Sequence, residues 1–327
     1  MAWFLLRRAG HALVVLLVVA LLAFVLFRYA GDPLTFLVGP EVPAEERARV
    51  RAELGLDDAL PVQFLRFVGH VARGQFGISY QLSRPVVEVI AVRLPATLEL
   101  AFAASVFALG CGIPMGVFAA LRPRSTLARV FMLVSLLGIS LPSFFLGVIL
   151  IYWLSVGLQL FPSFGRGTVT PIGGWWTTGL LTWEGLRAIV LPTVTLGLFQ
   201  LAFLIRLVRA EMLDVLRSDF IRFARARGLR ARAVNFGHAL RNALIPVITV
   251  AGLQIGSLTA FAIITETVFQ WPGMGLLFIQ AVTFADIPVM AAYLCLIGLI
   301  FVVINLVVDM LYFVVDPRLR MERTGGH

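Results

Sequence analysis

The sequence predicts an all-α integral membrane protein with six transmembrane helices, and three observations lead there. Hydrophobic residues make up 60% of the chain and charged residues only 14%. A soluble domain of 327 residues has nowhere to bury that much apolar surface. Apolar runs of about 20 residues, the length that crosses a bilayer core, occur near residues 9–28, 96–121, 127–156, 188–209, 243–265 and 288–315. The arginines, finally, gather in alternate connections between those runs.

Residues 1–29 form the first transmembrane helix. In "MAWFLLRRAGHALVVLLVVALLAFVLF" Arg7 and Arg8 precede an apolar run that is longer than a secretory signal core of about 7–15 residues, and "RYAGDP" follows without a small-residue cleavage site. The helix is therefore expected to stay uncleaved. Residues 30–95 are too long for a simple connection and read as an extracytoplasmic loop with helices of its own. "PAEERARVRAELG" starts near Pro43 and stops at Gly55. "PVQFLRFVGHVARG", from Pro61 to Gly74, is amphipathic, too short and too charged to span, and is expected along the outer membrane surface.

Residues 96–315 form a five-helix core. Pro114, Pro142 and Pro192 fall inside three of its apolar runs, which predicts kinks in a packed bundle. The 157–187 connection is rich in glycine and tryptophan, and Trp175 and Trp176 suit an interfacial belt. A cytoplasmic loop, 210–242, joins the fourth and fifth runs, and 316–327 is a tail.

Orientation follows from arginine. With the N-terminus inside, the cytoplasmic segments hold Arg7 and Arg8, then Arg122, Arg124 and Arg129, then nine from Arg206 to Arg241, then Arg318, Arg320 and Arg323. These seventeen face five acids, Glu211, Asp214, Asp219, Asp316 and Glu322. The 28–95 loop balances eight arginines with eight acids. Both termini are therefore expected in the cytoplasm.

Several functions are excluded. Every basic residue is arginine, so no GxxxxGK[ST] phosphate loop exists in this chain. Cys111 and Cys295 sit in apolar runs as small packing residues and form no disulfide framework or metal cluster. His11, His70, His238 and His327 are scattered, and neither GxSxG nor HExxH occurs. No catalytic, cofactor or metal residues are assigned, and the chain is not expected to be an enzyme. A proton-coupled secondary transporter would use Glu99 or Asp309, but internal repeats, expected of that class, are not visible. Nucleic-acid binding is not expected.

The stretch "SDFIRFARARGLRARAVNFGHALRNALIPV", 218–247, holds six arginines against one acid, Asp219. Phe220, Phe223 and Ala224 recur at helical spacing, which predicts a short helix with Ser218 as its N-cap and Gly228 as its stop. Ala224 and Ala226 leave a thin face able to enter a groove on another protein, with arginines placed to meet carboxylates on its rim. An inside-positive loop held at anionic lipid is the alternative.

This stretch resembles the cytoplasmic coupling loop of ABC-importer permeases, whose pattern is EAAxxxG, nine residues, then IxLP. Arg222, Phe223 and Ala224 take the EAA places, Gly228 takes the glycine, and His238, Ala239, Leu240 and Arg241 fall on IxLP. The literal matches are Ala224, Gly228 and Leu240. Similarity extends through "AGDPL", "LGLDDALPVQF", "GQFGIS", "RLPATLELA", "ITETVFQWPGMG" and "NLVVDMLYFVVDPR", and the chain resembles the B-type permease subunit of dipeptide/oligopeptide ABC importers. Relatives of that family also carry nickel, glutathione and other small solutes.

The resemblance implies a type I ABC-importer permease fold in the bacterial inner membrane. Arg222, Phe223, Ala224, Arg225, Ala226, Arg227, Gly228 and Leu229 would couple to an ATP-binding subunit. It further implies a second homologous permease in a heterodimer, two ATP-binding subunits that hold ATP and Mg2+, a periplasmic or lipid-anchored substrate-binding protein, and membrane lipid. Five polar or aromatic residues are candidates for the translocation path or gate. Glu99 and Asp309 lie within spans, where a carboxylate faces a partner or a water-filled cavity. Gln254 either lines a pore or joins helices. Glu266 and Trp271, in "ETVFQWPGMG", fall after the fifth span as an outer gate, a contact for the binding protein, or a plain interfacial turn.

Overall fold

A computed structural model describes residues 2–29, 49 and 57–315; the helix expected over 43–55 and the tail 316–327 lie outside the described residues. Among the described residues five helices are long and apolar enough to cross a membrane, or six if a bent pair counts as one broken span. The chain divides into two compact units, Met1–Pro95 with Pro171–Thr177 and Pro272–Val302, and Ala96–Thr170 with Thr178–Trp271 and Val303–His327.

In the first unit, α1 (Ala2–Tyr29) meets α2 (Leu60–Ala72). Helix α2 opens with Pro61 in its first turn, where a missing N–H costs nothing. Gln63 Nε2 donates to the Asp58 carbonyl at 2.7 Å and Arg66 pairs with Asp58 at 2.9 Å. Phe24 of α1 packs against Phe64 and Phe67 with centroids 5.6 and 5.8 Å apart, and Phe27 against Phe67 at 6.2 Å. Much of the apolar face of α2 is thus spent on α1. Leu60, Val62 and Leu65 remain exposed and are what is left for a membrane surface.

The same unit contains the start of α3 (Val86–Leu121), α9 (Met274–Thr283) and the first part of α10 (Ile287–Val315). Buried Asp286, just ahead of α10, accepts from Ser79 Oγ at 2.5 Å and from the Tyr80 and Gln81 N–H groups at 3.2 Å each. That satisfies a carboxylate too deeply buried to rely on water. Burial, with the nearby Asp286 charge, pushes the Tyr80 phenol up to about 12.

The second unit is organised around α6 (Trp183–Arg217). The most apolar stretch of α6 is 72% buried, against 17% for the first helix. Neighbours reach it through small residues, as helices in lipid must when no hydrophobic force drives them together. A Cβ at Gly116 of α3 would sit 2.7 Å from Val208 Cβ and 2.9 Å from the Ile205 carbonyl. One at Gly197 of α6 would meet Phe107 at 2.9 Å. Helix α8 (Leu240–Val268), entered through a π-helical turn over Ala233–Ala239, also packs against α6. A short hairpin, β1 (Thr170–Gly173) and β2 (Trp176–Thr178), most of it in the first unit, carries Trp175 and Trp176 in a T-shaped pair 5.5 Å apart.

The third apolar run is not one rod. It forms α4 (Thr126–Ser140) and α5 (Ser143–Leu150), the latter extended by a π-helical turn to Gly157, with a 114° bend between them. Pro142 is the cause: proline disfavours the helical region for the residue before it. Leu141 and Pro142 both sit extended, at ψ 132° and 136°. A kink is what the sequence predicts at Pro142; the structure breaks the helix there and starts another.

Gly116→Val should destabilise the protein by about 1–3 kcal/mol, since overpacking a close helix contact forces the backbones apart. Thermal unfolding in detergent should fall by several degrees. Gly110→Val, where a Cβ meets nothing within 4 Å, should leave the midpoint unchanged.

Candidate functional site

Helix α6 runs without interruption to Arg217, and an extended Ser218 (ψ 154°) turns the chain into α7, Asp219–Ala226. The turn before α7 is tight: Ser218 Oγ donates back to the Val215 carbonyl at 2.5 Å and does not cap α7. Ser218 is the N-cap residue that the sequence predicts, but its hydroxyl bonds back to α6 and not to the first turn of α7.

The C-terminus of α7 closes as a Schellman motif. Gly228 N–H donates to the Arg225 carbonyl at 2.9 Å and Leu229 N–H to the Ala224 carbonyl at 3.4 Å. This requires a left-handed residue at position 228, and Gly228 has φ +78°. The glycine therefore stops the helix for a backbone reason internal to this chain.

The two faces of α7 differ sharply. Ile221 and Ala224 are buried in the same core as Leu204, Val208 and Met212 of α6 and Val234 and Ala239 of the π-helical turn. Phe220 and Phe223 point outward, Phe223 with 64% of its surface exposed. The Arg227 guanidinium lies 5.7 Å from the Phe223 ring centre. Arg222 pairs with Asp219, the one ion pair of this segment among the described residues. Arg225, Ala226 and Leu229 are exposed. The face free to meet another protein is thus aromatic and cationic, and Ala224 is not on it: half the expected alanine face is used to hold α7 to its own chain.

The candidate path residues do not form one cluster. Glu99 of α3 is 6% exposed and accepts from Arg166 Nε at 2.8 Å, Arg166 Nη2, Thr178 Oγ1 and Gly179 N–H at 3.1 Å. Glu266 is in the last turn of α8, fully buried, and accepts from Thr97 Oγ1 at 2.6 Å. Trp271 is 1% exposed, with Nε1 donating to the Ala96 carbonyl at 2.9 Å and its backbone N–H to the Glu266 carbonyl at 2.8 Å. Glu266 and Trp271 therefore pin the turn after α8 to the α3 segment at 96–97, and neither is open to a binding protein. Asp309 lies on α10, and its side chain is outside the described residues.

Gln254 lines a cavity of about 440 Å3, bounded by the α4–α5 elbow, α6 and α8. Sequence reasoning missed Arg166, Thr178 and Thr97, which neutralise or bond the buried acids. Arg166 carried a usable signal, as the one charge in "LFPSFGRGTVTPIGGWWTTG". The threonines carried none.

Long apolar helices buried against one another, with one short helix locked to the core around α6, define a polytopic membrane protein. The chain matches the family model "Binding-protein-dependent transport system inner membrane component" over residues 112–321, and the N-terminal model of the same systems over residues 1–101. It is 38% identical over 321 residues to the oligopeptide transport system permease protein AppB of Bacillus subtilis (98% of this chain, 99% of that one). It is 38% identical over 339 residues to the dipeptide permease DppB of Escherichia coli K12 (99% and 100%), and 40% identical over 333 residues to the di/tripeptide permease DppB of Pseudomonas aeruginosa UCBPP-PA14 (98% and 99%). Among solved structures it resembles the inward-facing MetNI methionine ABC transporter, with a TM-score of 0.53 at 21% identity over 68% of this chain and 93% of that one. The chain belongs to the family of binding-protein-dependent transport system inner membrane components. It is a multi-pass inner membrane protein, a component of a transport complex with other subunits.

Removing one partner of the Glu99–Arg166 pair should be far worse than removing both. Arg166→Met strands a buried carboxylate and should cost about 3–5 kcal/mol. Glu99→Gln combined with Arg166→Met should recover most of that loss, read as folded yield and thermal midpoint of the detergent-solubilised protein.

Proposed function

We propose that this chain is one of two permease subunits of an ATP-driven importer and that its cargo is short peptides handed over by an extracytoplasmic binding protein. Similarity of 38–40% over nearly the entire length to three permeases named for oligopeptides, dipeptides and di/tripeptides carries the reading. Both termini and α7 lie in the cytoplasm on this reading, as seventeen arginines against five acids require.

In this mechanism α7 is the contact with an ATP-binding subunit. Phe220 and Phe223 enter an apolar groove, and Arg222, Arg225 and Arg227 meet carboxylates at its edge. ATP and Mg2+ are held by two such subunits, since this chain has no lysine for a phosphate loop. When they close on ATP they displace α7, and because Ile221 and Ala224 share a core with α6 and α8 the displacement is passed to the membrane helices. Two discrete packings of the paired permeases then exchange access from one side to the other. A proton-coupled carrier is disfavoured by the Glu99 site, where Arg166, Thr178 and Gly179 occupy the carboxylate.

The test is reconstitution of the chain with its co-purifying subunits in proteoliposomes. Uptake of a labelled dipeptide should require ATP and the binding protein, and the chain alone should hydrolyse none. Accumulation of nickel or glutathione in place of peptide would replace the cargo assignment. Gly228→Val places a β-branched side chain at positive φ, a strain of about 1–3 kcal/mol, while its Cβ meets nothing in this chain. The variant should insert normally yet lose the ATP-binding subunits or their coupling to uptake. Wild-type transport by this variant would reduce the loop to an inside-positive anchor.

A further inference from the structure

The cavity at the α4–α5 elbow holds more chemistry than a packing defect does. Its lining residues include no charged side chain, and most are leucine, phenylalanine or isoleucine. Helix α5 begins on it: Pro142, Ser143 and Phe144 are wall residues. The first helical bond of α5 is Leu146 N–H to the Pro142 carbonyl at 3.2 Å, and no capping side chain reaches the N-terminus. The N–H groups of 143–145 are therefore donors without a helical partner, at the positive end of a helix dipole.

A further observation on α6 points to a ligand there. Gln200 lines the cavity and is 3% exposed, yet its side chain makes only one long hydrogen bond among the described residues, Nε2 to the Ala251 carbonyl at 3.5 Å. Its Oε1 is left without one. A side chain this deeply buried with an unused acceptor in an apolar wall is one that an absent partner would satisfy.

We infer that this cavity is a transient site for the C-terminal residue of a peptide, its carboxylate at the α5 N-terminus and its side chain against the apolar wall. Helix α4 ends at the same elbow, so carbonyl acceptors lie beside the α5 donors. That pairing suits a carboxylate with a peptide N–H next to it better than a bare anion, and Gln200 Oε1 is an acceptor for that N–H. The lack of an arginine in the wall keeps the hold weak, as a site on a path requires. The inference rests on the peptide-permease reading above and adds which end of the peptide is recognised. A fatty-acid carboxylate would satisfy the same donors, so the test separates the two sources.

The complete transporter in nanodiscs, without binding protein, is photolabelled with alanyl-p-benzoylphenylalanine or with its C-terminal amide, and the labelled residues are mapped by mass spectrometry. The acid should label the elbow, α6 near 195–200 or α8 near 254–264, about fivefold or more above the amide. Ser143→Pro removes one donor at a position where proline is well tolerated, and should erase most of the acid's advantage while leaving the amide's labelling unchanged. Gln200→Leu should also reduce the acid's labelling, and carries the test if Ser143→Pro does not fold. Equal labelling by acid and amide, or no effect of the variant, overturns the inference. So does displacement of the label by decanoate but not by alanyl-phenylalanine, which would assign the cavity to lipid. Failure of the wild-type transporter to take up any dipeptide in proteoliposomes would instead sink the proposed function, independently of where the label falls.

Discussion

The structure depends on how closely other helices approach α6. In lipid the hydrocarbon surroundings are as apolar as the side chains, so helices hold together by shape and by whatever polar contacts they share. Gly116 on α3, Gly138 on α4 and Gly197 on α6 each remove a Cβ that would collide with the facing helix. Their placement makes α6 the buried element of its unit. Because α6 continues as one helix to Arg217, whatever is bolted to its end inherits that rigidity. Ile221 and Ala224 of α7 lie in the same core as Val208 and Met212, and the Schellman closure at Gly228 fixes where α7 ends.

The buried acids show a second constraint, the cost of a carboxylate away from water. Glu99 is met by a guanidinium, a hydroxyl and a backbone N–H; Asp286 by a hydroxyl and two backbone N–H groups; Glu266 by the Thr97 hydroxyl. Each joins segments far apart in sequence. These acids act as fasteners of the connections between helices.

Much of this was legible in the sequence. Apolar run length set the number of candidate spans, and Gly228 marked the end of α7 because a short helix followed by an exposed turn needs a left-handed residue. Three features were not legible. The 114° elbow at Leu141–Pro142 has the same local sequence signal as a tolerated kink like Pro192, which stays inside α6, and tertiary packing decides between them. The inward turn of Ala224 depends on α6 and the π-helical turn supplying a core beneath it. The partner of Glu99 lies 67 positions away, and no local pattern links them.

In the proposed mechanism α7 and α6 move as one body, so that force applied to α7 reaches the membrane helices undiminished. Spin labels at Phe199→Cys on α6 and Ala226→Cys on α7, in a background with Cys111 and Cys295 replaced, measure this directly by pulsed electron resonance in the complete transporter. The expected result is a narrow distance distribution that stays the same with and without a trapped ATP analogue, while the distance from Ala226→Cys to the second permease subunit changes. A broad distribution within the chain, or one that shifts by several ångströms when ATP is trapped, would contradict it.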